Sequence, residues 1–154
     1  MMRNHLAYFI DDGLAFSKAV QRYKKRRDRF LKQCDYITVI SGVTALLSQN
    51  NAWLMPDQAL YQNPEILYLS GLNQQNVAIV FNPVTQKIFL LLPYYDPKKV
   101  FWEGEFLGYD PGKHADIANQ FGFDGVVDYA TLFSFFLDQL KGSDARCYAT
   151  VWHQ

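Results

Sequence analysis

The sequence predicts a three-layer α/β domain, a mixed β-sheet with helices on both faces. Three observations carry that reading. Two nearly continuous apolar runs, Val77–Phe81 and Ile88–Leu92, are separated by the short polar loop 82–87. Buried strands lose polar alternation, so this is a hairpin at the centre of a covered sheet. Amphipathic helical stripes lie on either side of it in the chain. Helix, strand, strand cluster, then helix–strand–helix–strand is an order that builds layers.

Length and composition set the frame. The chain has 154 residues, 49% of them apolar and 16% aromatic, with 15 basic side chains balanced by 15 acidic ones. One domain of that size buries enough surface to stand without a metal or disulfide staple. Zero net charge disfavours a dedicated nucleic-acid binder. No apolar run is long enough to span a bilayer, and the N-terminus has no continuous apolar stretch of the signal-peptide kind. Cys34 and Cys147 have no CxxC neighbour, so reduced thiols in a cytoplasmic protein are expected.

Residues 14–34 read as a helix. Phe16, Val20, Tyr23, Phe30 and Cys34 fall at steps of three and four, with Arg27 in the same stripe. Its other faces carry Arg22, Lys24, Lys25, Arg26, Arg29 and Lys32, a solvated face or one able to touch RNA or an acidic partner. Tyr36–Ile40 is a β-branched strand ended by Ser41-Gly42, and 43–49 is a short helix. Ile66–Leu69 reads as a further strand closed by Ser70-Gly71. A helical turn starts at Pro97 and gives way to an irregular loop. Asp110-Pro111 opens the next helix as N-cap and first residue, and Gly122 ends it. Gly125–Val127 is a very short strand, and Asp128 caps a helix with the stripe Tyr129, Leu132, Phe133, Phe136, Leu137 and Leu140. Gly142 ends it, and Cys147–Trp152 is the last strand.

Self-contained chemistry is hard to build from these residues. His5, His114 and His153 are isolated, without HExxH or Cys–His spacing, so no metal site is expected. Neither GxSxG, GxGxxG nor GxxxxGK[ST] occurs. Both cysteines lie on apolar faces, where a thiol is an inert core group. One segment stands apart. Phe101-Trp102-Glu103-Gly104-Glu105-Phe106 sets three aromatics in a polar, glycine-containing loop, and aromatics on loops suit contact with another surface. Phe135 lies off the main stripe of its helix and is a second candidate for facing another domain.

Three segments make the sequence resemble the N-terminal domain of Xaa-Pro aminopeptidases (aminopeptidase P), shared more widely with creatinase and prolidase. Tyr23-Lys24-Lys25-Arg26-Arg27-Asp28-Arg29-Phe30-Leu31 is similar to the family's opening Arg-Arg helix. Tyr61-Gln62-Asn63-Pro64-Glu65-Ile66-Leu67-Tyr68-Leu69-Ser70-Gly71-Leu72-Asn73 resembles its aromatic–Arg–Gln–Asn–Ser segment, which runs on to Thr-Gly-Phe-Asn. Leu92-Pro93, Asp96, Trp102-Glu103-Gly104 and Leu107-Gly108 follow its third pattern in order and spacing. Tyr61 stands where the family has Arg, Pro64 where it has Ser, and Gln74-Gln75 where it has Glu-Pro. The first change puts in doubt a substrate contact made by that Arg.

The resemblance implies a creatinase/prolidase N-terminal fold with a ribonuclease H-like motif over residues 22–154; residues 1–21 have no counterpart in it and are expected to be a helical N-terminal extension. It implies a parent enzyme that removes the N-terminal residue from peptides with proline in second place. In that family the catalytic pita-bread domain carries Asp, Asp, His, Glu and Glu ligands to two metal ions, usually manganese. None of these ligands can be placed here, so the catalytic domain is expected to be absent and the chain alone inactive. The implied partners are the catalytic domain of the same protein, further copies in a homo-oligomer, and the peptide substrate, with no nucleic acid and no membrane. Trp102 matches a family tryptophan that reaches toward a neighbouring subunit's active site. Trp102, Tyr61, Gln62 and Asn63 are therefore the substrate-pocket or interface candidates, and Phe101, Phe106 and Phe135 the partner-contact candidates. The alternative is a free-standing protein-binding module without peptidase activity.

Overall fold

The computed structural model describes residues 6, 8–42, 62–141 and 147–151, with the side chains of 102, 103 and 147–151 left out. Expectations for 43–49, Tyr61, Gly142 and Trp152 lie outside the described residues.

The element order is α1 (Phe16–Gln33), β1 (Ile37–Ser41), α2 (Pro64–Ser70), β2 (Ala78–Asn82), β3 (Lys87–Leu92), α3 (Pro97–Glu103), α4 (His114–Phe121), β4 (Gly125–Asp128), a 3-10 turn (Tyr129–Thr131), α5 (Leu132–Leu140) and β5 (Cys147–Val151). The strands form one five-stranded sheet in the order β4-β3-β2-β1-β5. Only β2 runs against its neighbours; β1 and β5 pair in parallel, as do β3 and β4. The expected hairpin is present, with Val80 opposite Phe89 and Asn82 opposite Lys87. Asn82 shapes its turn by accepting from the Val84 and Thr85 amides at 3.0 and 3.3 Å.

Strict alternation divides the sheet residues between two cores. Ile40, Ile79, Phe81, Ile88, Leu90, Leu92 and Val126 face α1, α2 and α4. Ile37, Val39, Ala78, Val80 and Leu91 face α5. Helices on both faces make the three layers.

Ile66–Leu69 is helical rather than a strand. Asn63 accepts from the Glu65 amide at 3.0 Å, and Pro64 takes the first helical turn. That cap and the fixed proline φ outweigh the β-like run of four apolar residues. Gly71 ends α2 at φ +72°, and a Cβ there would stand 2.5 Å from the Tyr23 ring. Both the dihedral and the space demand glycine.

Residues 8–15, expected to be helical, are not. They lay Phe9 antiparallel against Leu72, with Ile10 donating to the Gly71 carbonyl and Asn73 to the Tyr8 carbonyl, each at 2.8 Å. Phe9 thereby enters the core among Phe16, Tyr23 and Phe121, with ring centroids 5.2–5.8 Å away. The N-terminal segment thus packs into the same core as the rest of the chain. Asp110 opens a turn rather than a helix, and α4 starts only at His114.

Helix α5 turns a different face inward from the one its stripe predicts. Leu132, Phe135, Phe136 and Leu140 pack on the sheet, while Phe133 is 75% exposed and Leu137 also faces outward. Phe135, a contact candidate, instead meets Phe89 edge-on at 5.0 Å. At 100° per residue the five stripe residues within α5 span about 140°, and Phe135 widens the apolar arc to about 200°. The sheet meets the side that holds Phe135, Leu132, Phe136 and Leu140, which leaves Phe133 and Leu137 on the outer edge.

Candidate contact surface

Arg27 fastens α1 to the ends of α2 and α4. It sits in the apolar stripe of α1, as its spacing indicates, and is 1% exposed. Its guanidinium donates to the carbonyls of Leu69 and Phe121, both at 2.8 Å, and of Gly122 at 3.2 Å. These are terminal carbonyls of α2 and α4, the negative poles of two helices. Phe123 lies beneath the guanidinium at 3.9 Å. Burial lowers its pKa to about 10, while the carboxylates of Asp28 and Asp124 pull the other way. It remains a cation at neutral pH.

Gln62 and Asn63 are buried, and their amides serve the chain itself. Gln62 donates to the carbonyls of Leu72 and Gln74 at 3.3 and 2.6 Å, and accepts from the Asn63 amide. Asn63 donates to the Ser41 carbonyl at 2.9 Å while capping α2. The pair joins the end of β1 to the start of α2. Tyr61 lies outside the described residues.

The aromatic segment gathers on and after α3. Asp96 caps this helix by accepting from the Lys98 amide at 3.0 Å, with Pro97 in its first turn. Phe101 and Trp102 are thus helical, not in a loop. Phe101 is 80% exposed. Trp102 falls in the last turn of α3, and its side chain is not described. Gly104 releases the helix at φ +92°.

After α3 the chain returns to pair in parallel with the segment that precedes the helix. Tyr95 donates to the Tyr109 carbonyl at 2.9 Å, and Tyr109 to the Pro93 carbonyl at 2.7 Å, forming a short Tyr94–Tyr109 parallel bridge. Gly108 permits this approach, because a Cβ there would lie 2.8 Å from the Tyr95 Cα. Phe106 packs on Tyr95 at 5.8 Å, and the Lys99 ammonium lies 5.6 Å from the Phe106 ring. Tyr109 stacks on His114 at 5.6 Å. Tyr94, Tyr95 and Phe101 are the exposed aromatic rings of residues 94–101, an aromatic ledge open to solvent. Tyr8 comes close to it: burial raises its phenol pKa, and the Glu105 carboxylate adds to the rise.

Gln74 holds the segment around Leu107 to the segment after α2. It is buried, and its carboxamide meets both backbone groups of Leu107. The sequence marks Gln74 only as a departure from the family pattern, and gives no signal of this role. Among the described residues, no three of His, Cys, Asp and Glu come together as a group able to hold a metal.

The family described as aminopeptidase P, N-terminal domain, matches residues 23–148. The chain belongs to this family. A comparison with curated proteins gave no match. Among solved structures, Escherichia coli aminopeptidase P with the inhibitor Pro-Leu superposes with a TM-score of 0.59 at 18% identity, over 79% of this chain and 27% of that one. Icp55 from Saccharomyces cerevisiae gives 0.62 at 15% identity, over 88% of this chain and 30% of that one. These likenesses confirm the α/β fold. The chain spans less than a third of the length of either structure. No helix among the described residues is long and apolar enough to cross a membrane.

Proposed function

We propose that this chain is the non-catalytic N-terminal domain of an Xaa-Pro aminopeptidase-like metallopeptidase, supplying assembly contacts and part of the substrate pocket. The observation that carries this reading is the family match over 23–148, the larger part of the chain. Hydrolysis then belongs to a catalytic domain that holds the two metal ions, manganese by family precedent. The described residues offer those ions no ligand group.

The part left to this domain is surface chemistry. Phe101, with Trp102 from its sequence match, forms an apolar wall that excludes water beside the peptide's proline. Tyr94, Tyr95 and Phe106 extend that wall toward a neighbouring subunit. The working compartment is the cytoplasm. Sedimentation velocity tests the assembly role. Self-association should rise with concentration and be lost in Phe101→Asp and Trp102→Ala, with unchanged circular dichroism. A parent chain that stays monomeric, or variants that associate as it does, would contradict it.

A further inference from the structure

We infer that the groove between α1 and α2 is a docking site for an acidic peptide segment bearing an apolar side chain, distinct from the aromatic ledge. The groove encloses about 500 Å³. Its floor is apolar, formed by Phe30, Ile40 and Leu69, and its wall carries Arg26, Arg29 and Tyr68.

Arg26 is held in place before any ligand arrives. One guanidinium nitrogen donates to the Tyr68 carbonyl at 3.1 Å, and the group lies 4.3 Å over the Tyr68 ring and 5.4 Å from that of Tyr23. Fixing a long cationic side chain in advance lowers the entropic cost of binding. Arg29 follows at i+3, on the same side of the helix, so the two guanidiniums can receive one carboxylate or two adjacent ones.

Charge decides the occupant. The chain as a whole is neutral, yet the outer side of α1 is not. Arg22 is spent on Asp12, and Lys24 on Asp28. Among the described residues, Lys25, Arg26, Arg29 and Lys32 remain, against Glu65 as the one carboxylate lining the groove. A cationic rim over an apolar floor fits an anion that carries its own apolar group. A bare phosphate would leave the floor unused, and a neutral apolar peptide would leave the guanidiniums unpaired.

The probe is an end-blocked, fluorescently labelled Asp-Phe-Asp-Leu peptide, with Asn-Phe-Asn-Leu as its neutral match, titrated into the full chain. The Asp peptide should bind in a salt-sensitive manner and the Asn peptide should not. Arg29→Glu, on an exposed residue, should weaken binding by about tenfold or more while thermal unfolding stays put. Arg26→Ala should weaken it similarly, and Arg29→Glu keeps the test open if that variant folds poorly. Glu65→Gln should tighten binding. Equal binding of the two peptides, or parental binding by Arg29→Glu, would overturn the inference. So would displacement of the peptide by inorganic phosphate or by oligouridine at lower concentration than the unlabelled peptide itself.

Discussion

The carboxamide of Gln74 grips both backbone groups of Leu107: its Oε1 accepts from the Leu107 amide at 2.7 Å, and its Nε2 donates to the Leu107 carbonyl at 2.7 Å. One side chain thus does what a neighbouring strand would do, across 33 residues of sequence. It ties the segment after α2 to the segment that carries Phe106 and Gly108. Gln74→Ala would strand a buried donor and a buried acceptor. The expected loss is about 2–4 kcal/mol in urea unfolding, since each orphaned group costs roughly 1–3 kcal/mol. Gln74→Glu can accept but, when ionised, cannot donate, and should also be destabilised. A midpoint unchanged in both variants would refute the strut.

Arg27 binds three carbonyls at the ends of two helices and stacks on Phe123. Arg27→Met keeps much of the apolar volume but leaves those carbonyls without a donor. A loss of about 2–4 kcal/mol is expected by equilibrium denaturation. Arg27→Lys should recover only part of it, because a single ammonium cannot reproduce the planar fork. Full recovery by lysine would show that charge alone matters.

Helix α5 offers a paired test of which face is buried. Phe135→Ala removes the edge contact with Phe89 and should cost about 2–4 kcal/mol. Phe133→Ala, at a position 75% exposed, should change stability by less than about 0.5 kcal/mol. The reverse order in a thermal melt would restore the stripe that periodicity suggests.

Burial raises the pKa of the Cys34 thiol, helped by the Asp35 carboxylate and opposed by a hydrogen bond with Thr38. The folded state therefore holds the thiol proton to higher pH than the unfolded chain. Its contribution to stability is complete below the unfolded pKa and is lost as pH rises through the folded one. Site-resolved alkylation followed by mass spectrometry should show Cys34 reacting more slowly than free cysteine at neutral pH. Its rate should still climb above the point where the free thiol has levelled off. A rate equal to the free thiol's at neutral pH would contradict this.

What the sequence made legible follows from how each element is stabilised. The β2–β3 hairpin was plain because strands buried on both faces have no polar positions to obscure them. Arg27 was placed correctly by its spacing in the α1 stripe, although nothing local announces its three carbonyl partners. Ile66–Leu69 misled because four apolar residues carry no helical period. The deciding signal was Asn63-Pro64 just ahead of them, a cap and a first-turn proline. The face of α5 was misjudged because Phe135 widens its apolar arc to about 200°, so periodicity alone does not select the part the sheet covers. The aromatic segment was singled out by composition, but Tyr94, Tyr95 and Tyr109 come together beside it only through the backbone approach at Gly108. Gln62 and Asn63, singled out by resemblance, are occupied within the fold.

The central claim is that this chain contributes a surface and not the chemistry. The most direct measurement is hydrolysis of a peptide with proline in second place, by the purified chain with added manganese. The account predicts no release of the N-terminal residue, with or without the metal. Turnover that survives repurification, requires manganese and stops with a chelator would contradict it.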